Sequence, residues 1–230
     1  MKNVSFPRQI RSFIRREGRM TERQKQGLIQ GWPVYGLEPF VAPLQLQEVL
    51  PKANHFVLEI GFGMGRSLLE MAYQHPDWGF IGIEVHRPGV GALLADLADR
   101  PLQNVRVYCH DAVEILQRCI PDHSFHLIQI FFPDPWPKKR HHKRRLIQKE
   151  FIELLVTKLK HGGEIHLATD WEHYAQQMLQ VLSENLNLEN KAGENKFYIG
   201  LNRPTTKFEQ RGLKLGHAIW ELRFQMTKLD

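Results

Sequence analysis

Four carboxylic acids in this chain stand at or just beyond the ends of short apolar segments. They are Glu59, Glu84, Asp111 and Asp134. Because the carboxyl ends of parallel strands meet at one edge of a sheet, side chains at such positions can share one ligand. A carboxylate at the end of the second strand can also accept two hydrogen bonds from the hydroxyls of a ribose. The four acids therefore predict a site for a small ligand that carries a ribose.

A glycine-rich loop follows the first of these acids, in Glu59-Ile-Gly-Phe-Gly-Met-Gly65. Gly61 and Gly63 would let the backbone come close to a ligand. Arg66 stands where the dinucleotide pattern G-x-G-x-x-G has its last glycine, and a carboxylate at Glu59 would repel a pyrophosphate. A carboxylate suits a ligand with a positive amino group and a sulfonium. We therefore favour S-adenosylmethionine over a nicotinamide dinucleotide, which remains an alternative.

Three of these acids also have a simpler interpretation. Glu59 and Glu84 could be solvated strand ends. Asp111 could cap the helix that follows it, since a side-chain oxygen at that position accepts from the first backbone N–H groups of a helix. These alternatives stay open on the sequence alone.

A second motif, Phe131-Phe-Pro-Asp-Pro-Trp-Pro-Lys-Lys-Arg140, follows another apolar run. The alternating prolines stiffen this loop and fix the directions of Asp134 and Trp136. Trp136 could stack on a nucleic-acid base or pack the loop against the domain. Lys138 could hold a phosphate or a base oxygen, or could be an ordinary surface lysine.

Basic residues are concentrated in two segments. The formal net charge is +6 and the pI is about 9.4. Residues 1–25 hold eight Lys and Arg against two acids, and residues 138–145 hold six Lys and Arg. Two basic patches on an otherwise balanced chain predict contact with a nucleic acid. Two solvated basic surfaces are the alternative.

Other features limit the class of protein. Cys109 and Cys119 lack metal-ligand spacing, so we expect free thiols in a reducing compartment. The adjacent His141 and His142 cannot face one metal from one helix face, and no metal is expected. No apolar run approaches the roughly 18–20 residues that span a bilayer. The N-terminus lacks a secretory signal, although its composition leaves an organelle address open. We expect a cytoplasmic protein without membrane contact.

Apolar runs alternate with segments of helical spacing along most of the chain. Strands are predicted at 55–60, 78–84, 105–109, 125–132 and 163–169, and helices at 44–50, 67–73, 88–99, 112–119, 143–159 and 171–184. This alternation predicts an α/β fold with a parallel sheet and right-handed crossovers. The alternating segment 220–226 predicts one antiparallel strand. Residues 1–31 are predicted to form a basic, partly helical arm that orders mainly on binding, and residues 32–230 a single domain.

Several motifs together resemble the bacterial tRNA (guanine-N7)-methyltransferases. They are the glycine loop, Gly82-Ile-Glu-Val-His86, the proline motif and Thr206-Lys-Phe-Glu209, with Arg11-Ser-Phe-Ile-Arg-Arg16 and Gly18-Arg-Met-Thr21 similar to the N-terminal arm of that family. The resemblance extends over essentially the whole chain. It implies a Rossmann-like class I methyltransferase fold with helices on both faces of the sheet. It also implies methyl transfer from S-adenosylmethionine to N7 of guanine 46 in the variable region of tRNA.

The resemblance also implies roles for individual residues. The methyl donor would be bound or bordered by Glu59, Gly61, Gly63, Glu84, Asp111 and Asp134. The substrate would be contacted by Lys138, Asp170, Thr206, Lys207, Phe208 and Glu209. The RNA would be contacted by Arg140, His141, His142, Lys143, Arg144 and Arg145. Without the resemblance, Asp170 could equally cap a helix, and Glu209 could be an exposed loop acid.

Asp134 is the expected catalytic residue. Guanine N7 has an in-plane lone pair and needs no deprotonation, so catalysis depends mainly on alignment. A carboxylate could hydrogen-bond the donor edge of the base and stabilise its developing positive charge. Positioning is therefore favoured over proton abstraction. A methyltransferase for another RNA or for a small molecule, and a non-catalytic RNA-binding subunit, remain alternatives. A monomer is expected, because no long exposed apolar stripe is evident.

Overall fold

A mixed sheet forms the centre of the molecule. The computed structural model describes residues 18–200, 203–204, 209 and 218–227. Within them the strands are β1 (His55–Ile60), β2 (Trp78–Ile83), β3 (Val105–Tyr108), β4 (Phe125–Phe131), β5 (Leu159–Thr169), β6 (Leu188–Asn190) and β7 (Trp220–Met226). Their order is β3-β2-β1-β4-β5-β7-β6, with β1 to β5 parallel and β7 antiparallel to both neighbours. The predicted parallel sheet with an antiparallel C-terminal strand is confirmed.

Helices cover both faces of this sheet. In the described residues they are α1 (Glu22–Tyr35), α2 (Leu46–Val49), α3 (Arg66–Gln74), α4 (Arg87–Asp99), α5 (Ala112–Arg118), a 3-10 helix (Lys139–Arg144), α6 (Lys149–Lys158) and α7 (Glu172–Ser183). Successive residues of a strand point to opposite faces. Val57 of β1 therefore packs with α1, α3 and α4, whereas Leu58 packs with α5, α6 and α7.

Helix α1 crosses the boundary that the sequence predicts at residue 31. Thr21 and Gln24 form a reciprocal capping box at its start, which satisfies two backbone donors. The helix then lies directly on α4, since a Cβ added to Gly27 would lie 2.3 Å from the carbonyl oxygen of Gly91. Only glycine permits this approach of two backbones. Residues 22–31 of the expected arm are therefore part of a packed helix, and residues 1–17 lie outside the described residues.

The largest difference from the predicted elements concerns residues 139–159. One helix over 143–159 was expected, but a 3-10 helix ends at Arg144 and α6 begins only at Lys149. Arg145 has non-helical backbone (φ −58°, ψ 137°) and a buried side chain, and the backbone N–H of Ile147 donates to the hydroxyl of Tyr174 at 3.0 Å. These contacts with α7 replace the helical turn. Strand β5 also begins earlier than predicted, at Leu159.

Strand β6 was not predicted. It has three residues, too few to show an alternating pattern. Among the helices in the described part of the chain, none is long and apolar enough to cross a membrane.

Candidate active site

A cavity of about 640 Å³ opens at the carboxyl ends of β1, β2 and β4. The chain runs outward from β1 to β3 and then returns to β4 on the other side of β1, so the cavity lies where the strand order reverses. This is the usual ligand position in open α/β sheets. Five of the six residues predicted for the donor line it together, namely Gly61, Gly63, Glu84, Asp111 and Asp134.

The glycine loop forms one wall of this cavity. Gly61 (φ 76°) and Gly63 (φ 60°) have left-handed backbone, which favours glycine. A Cβ added to either residue would meet no described atom within 4 Å, so the loop faces open space. From behind, Gly89 at the start of α4 lies so close that a Cβ there would be 2.1 Å from the carbonyl oxygen of Gly63. The loop is held in place and its exposed edge is left open for a ligand.

Glu84 is buried at the end of β2 and holds the same loop. One carboxylate oxygen accepts from the backbone N–H of Gly63 at 2.8 Å, and the other accepts from Val85 at 2.7 Å and His86 at 2.9 Å. Burial raises the pKa of Glu84, while these three donors act in the opposite direction. A carboxylate has about four acceptor positions. Glu84 therefore combines a fixed orientation with remaining capacity for a hydroxyl of a ligand.

Glu59 lies beneath the cavity and is not among the described residues that line it. It is only 2% exposed, and the side-chain amide of Gln129 donates to it at 2.8 Å. Burial raises the pKa of Glu59 to about 7, the Gln129 hydrogen bond opposes this, and the charge of Glu84 adds to it. The sequence interpretation missed Gln129, although a polar residue inside the apolar run of β4 was a visible signal.

Asp111 has the capping role that was its simpler interpretation, and it also lines the cavity. Its carboxylate accepts from the backbone N–H of Val113 at 2.9 Å, at the start of α5. The preceding residue, His110, was not predicted for the site but lines the same wall. Its ring meets the ring of Phe40 edge-on, at 5.1 Å between centroids.

The proline loop forms the opposite wall. Two of its non-glycine residues, Phe132 (φ 53°) and Trp136 (φ 43°), have left-handed backbone, a conformation that costs energy and is frequent at functional sites. Asp134 is exposed between them and lines the cavity. The Trp136 ring meets His141 edge-on at 5.9 Å, and the guanidinium of Arg144 lies 5.1 Å from its centroid. Trp136 therefore joins the loop to the 3-10 helix that follows.

That 3-10 helix carries a basic surface beside the cavity. Lys138, Lys139, Arg140 and Lys143 are exposed, and His141, His142 and Arg144 are partly exposed. Desolvation, and then the neighbouring Arg and Lys charges, lower the pKa of both histidines. The positive charge of this surface therefore comes from lysine and arginine. We call residues 138–144 the basic turn.

Arg145 is a correction to the predicted RNA-contact set. It is among the most deeply buried large side chains, 2% exposed. Its Nε donates to the carbonyl oxygen of Pro135 at 2.8 Å, and its Nη1 donates to Gln177 of α7 at 2.5 Å. A guanidinium enclosed in this way cannot reach a phosphate on the surface.

A buried ion-pair network lies behind the proline loop, and the sequence interpretation did not foresee it. Arg203 pairs with Glu209 at 2.6 Å and with Glu221 at 2.7 Å, and Glu221 contacts His166 at 3.0 Å. Burial alone would raise the pKa of Glu221, but His166 and Arg203 lower it. The Arg203 guanidinium also lies 4.9 Å from the ring centroid of Phe131, the last residue of β4. The only indication of this network in the sequence is the pair of charged residues in the strand segment Trp220-Glu-Leu-Arg223.

Glu209, predicted to contact the substrate, belongs to this network. It is 1% exposed, so the alternative of an exposed loop acid is wrong. The other members of that motif, Thr206, Lys207 and Phe208, lie outside the described residues. Asp170 follows β5, and Trp171 is the residue at the cap position of α7. In the part of the chain that the structure describes, no group of three or more His, Cys, Asp or Glu could hold a metal ion.

Comparison with known proteins gives one family. A family model described as "Putative methyltransferase" matches residues 53–222. A protein of Pseudoalteromonas translucida is 53% identical over 224 residues, which are 97% of this chain and 93% of that protein. One of Pectobacterium atrosepticum is 50% identical, over 96% of this chain and 93% of that protein. Both relatives are named tRNA (guanine-N(7)-)-methyltransferase.

Solved structures share the fold at low sequence identity. The 16S rRNA methyltransferase KamB is 14% identical with a TM-score of 0.57, over 79% of this chain and 92% of that chain. The aminoglycoside resistance methyltransferase NpmB1 is 17% identical with a TM-score of 0.55, over 80% and 92%. At such identities the likeness concerns the fold alone. It confirms the expected Rossmann-like methyltransferase fold.

Proposed function

Because the chain belongs to the family of the tRNA (guanine-N(7)-)-methyltransferases, we propose that it transfers a methyl group from S-adenosylmethionine to N7 of a guanine in tRNA. The guanine that the sequence resemblance implies is number 46 in the variable region. One observation carries the proposal. A single cavity has the Glu84-held glycine loop on one wall and Asp134 on the other, and the basic turn adjoins it.

The cavity fits S-adenosylmethionine in size and chemistry. Its volume of about 640 Å³ lies within the range of small-molecule sites. The open edges at Gly61 and Gly63 allow close contact with backbone, and Glu84 can accept from a hydroxyl. Acids at this edge of the sheet favour a cationic ligand over a pyrophosphate. When bound, the cofactor supplies an electrophilic methyl group on a positively charged sulfur.

Asp134 would act on the guanine by orientation. N7 is already a nucleophile, so no residue has to remove a proton before the transfer. The Asp134 carboxylate can accept from the N–H donors on the edge of the base, and this interaction strengthens as the base becomes positive. Its position on the cavity wall, exposed to an incoming base, supports this role.

The basic turn would hold the RNA backbone. Its exposed lysines and arginines begin four residues after Asp134, so phosphates near the target base fall within their reach. Contacts of this kind position a nucleic acid without reading its sequence. The monomeric state and the cytoplasmic location expected from the sequence stay predictions.

One assay tests the proposal. The protein is incubated with S-adenosylmethionine labelled on the methyl group and with tRNA that lacks the modification, and the digested nucleosides are identified. Labelled 7-methylguanosine is expected with this tRNA, and none with the same tRNA carrying adenosine at position 46. Absence of 7-methylguanosine with folded protein would refute the proposal. Label in another nucleoside, or in a small molecule, would support the corresponding alternative substrate.

A further inference from the structure

The buried Arg145 connects two parts of the candidate site that are distant in sequence. On one side its Nε donates to the carbonyl oxygen of Pro135, within the proline loop. On the other side its Nη1 donates to Gln177 and lies 3.2 Å from Nδ1 of His173, both on α7. Its guanidinium also lies 4.7 Å from the ring centroid of Tyr174. One side chain thus joins the proline loop to a helix.

The helix that receives Arg145 is itself firmly attached. Tyr174 is completely buried, and its hydroxyl accepts from the backbone N–H of Ile147 at 3.0 Å. The side-chain amide of Gln177 donates to the carbonyl oxygen of the same residue at 3.1 Å. Helix α7 is therefore firmly attached to the segment around Ile147, and Arg145 links the proline loop to this helix.

Pro135 is the residue between Asp134 and Trp136. A hydrogen bond to its carbonyl oxygen fixes the peptide plane after Pro135 and restricts both neighbours. The prolines remove N–H donors from this segment, so it can form fewer backbone hydrogen bonds of its own. The hydrogen bond from Arg145 to the Pro135 carbonyl therefore helps to fix the orientation of Asp134 toward the cavity.

We propose that Arg145 is a positioning residue for methyl transfer, which holds Asp134 in its reactive orientation by tying the Pro135 carbonyl to α7. The proposal rests on the proposed role of Asp134. It assigns Arg145 a task different from that of its exposed neighbour Arg144, which belongs to the basic turn.

We expect that lysine at position 145 cannot perform the role of Arg145. The planar guanidinium donates in two directions at once, from Nε to the loop and from Nη1 to the helix, whereas an ammonium is a point charge on a flexible stem. At a phosphate contact, by contrast, lysine preserves most of the interaction. Arg145→Lys therefore tests the positioning role, and Arg106→Lys is the matched control. It makes the same change at a half-buried arginine of β3 that is not among the described residues lining the cavity.

The test measures kcat and KM for tRNA, with enzyme concentration set by titration of donor-binding sites. For Arg145→Lys we expect kcat to fall about tenfold to a hundredfold, with little change in KM for tRNA. Hydrogen exchange at the backbone amides of Asp134, Trp136 and Lys138 should become faster. Arg106→Lys should retain kcat and the exchange pattern.

A further measurement distinguishes positioning from phosphate binding. Arg144→Gln should reduce the salt dependence of tRNA binding by about one phosphate contact, while Arg145→Gln should leave it unchanged. If Arg145→Lys kept the kcat of the wild type, or if Arg145→Gln reduced the salt dependence, the proposal would be overturned.

Because substitutions of Arg145 can reduce the amount of folded protein, Gln177→Leu provides a second test of the same contact. It leaves Arg145 in place and removes the shorter of its two hydrogen-bond contacts on α7, so a several-fold lower kcat is expected and an unchanged kcat contradicts the proposal. The wild type is assayed in parallel, and failure to form 7-methylguanosine there would instead reject the proposed function.

Discussion

The buried Glu59 makes the stability of this protein depend on pH in a way that one substitution should remove. Its carboxyl group lies beneath the glycine loop, with the Gln129 amide as hydrogen-bond donor. Burial raises its pKa in the folded protein from 4.5 to about 7. Below pH 4.5 the group is protonated in both folded and unfolded chains. As pH rises toward 7, the unfolded chain releases this proton first, so the folded state loses stability.

The magnitude follows from the two pKa values. They differ by about 2.5, which corresponds to about 3 kcal/mol of stability lost once pH exceeds 7. Between pH 5.5 and pH 8, the accessible range, the loss amounts to about 2 kcal/mol. Glutamine at position 59 can still accept from Gln129 and carries no charge at any pH. The free energy of unfolding of Glu59→Gln should therefore rise relative to the wild type by about 2 kcal/mol across this range.

Urea unfolding of both proteins at a series of pH values measures this difference. Other titrating groups of the chain contribute equally to both proteins and cancel in the comparison. Glu70→Gln removes the same charge from an exposed position on α3 and serves as the control. If the free energy of unfolding changed with pH in the same way for the wild type and Glu59→Gln, ionisation of Glu59 would cost no stability. In that case the inference that burial disfavours the ionised carboxylate of Glu59 would be wrong.

Three further predictions concern packing, catalysis and RNA binding. Gly27→Ala should lower the free energy of unfolding by about 1–3 kcal/mol, because its Cβ would meet the α4 backbone; thermal unfolding checks this, with exposed Gln26→Ala as the control. Asp134→Asn should reduce kcat at least about tenfold, because the neutral amide stabilises a positive base poorly; near-normal turnover would exclude a catalytic role. The double substitution of Lys143 and Arg144 by Gln should reduce the slope of log Kd for tRNA against log salt by about 1.4–1.8; an unchanged slope would remove the basic turn from the RNA-binding surface.

The strands of this fold could be predicted because burial leaves a direct pattern. Each parallel strand is covered on both faces, so it appears as a short, nearly continuous apolar run. The observed bounds of β1, β2, β3 and β4 agree with the predicted ones to within a residue at each end. Residues at the ends of these strands could be predicted in the same way, since topology alone brings Gly61, Glu84 and Asp134 to one edge.

What the sequence could not show is which polar residues are buried. Arg145 stands in a run of six basic residues, and nothing in its identity separates it from Arg144. Its burial depends on acceptors at Pro135 and Gln177, which are 10 and 32 residues away. The predicted helix over 143–159 failed for the same reason. Tertiary contacts between this segment and α7 override a helical pattern of apolar residues.

Buried polar side chains from other parts of the chain hold the glycine loop, the proline loop and Glu209 in place. The glycine loop is held by Glu84 at the end of β2, and the proline loop by Arg145. Glu209 is held by Arg203, which also pairs with Glu221 of β7. Reactions that depend on alignment are sensitive to displacements of about 1 Å at the reacting groups. We therefore expect residues that touch no substrate to help determine the rate at this site, and their loss to reduce turnover more than it weakens binding.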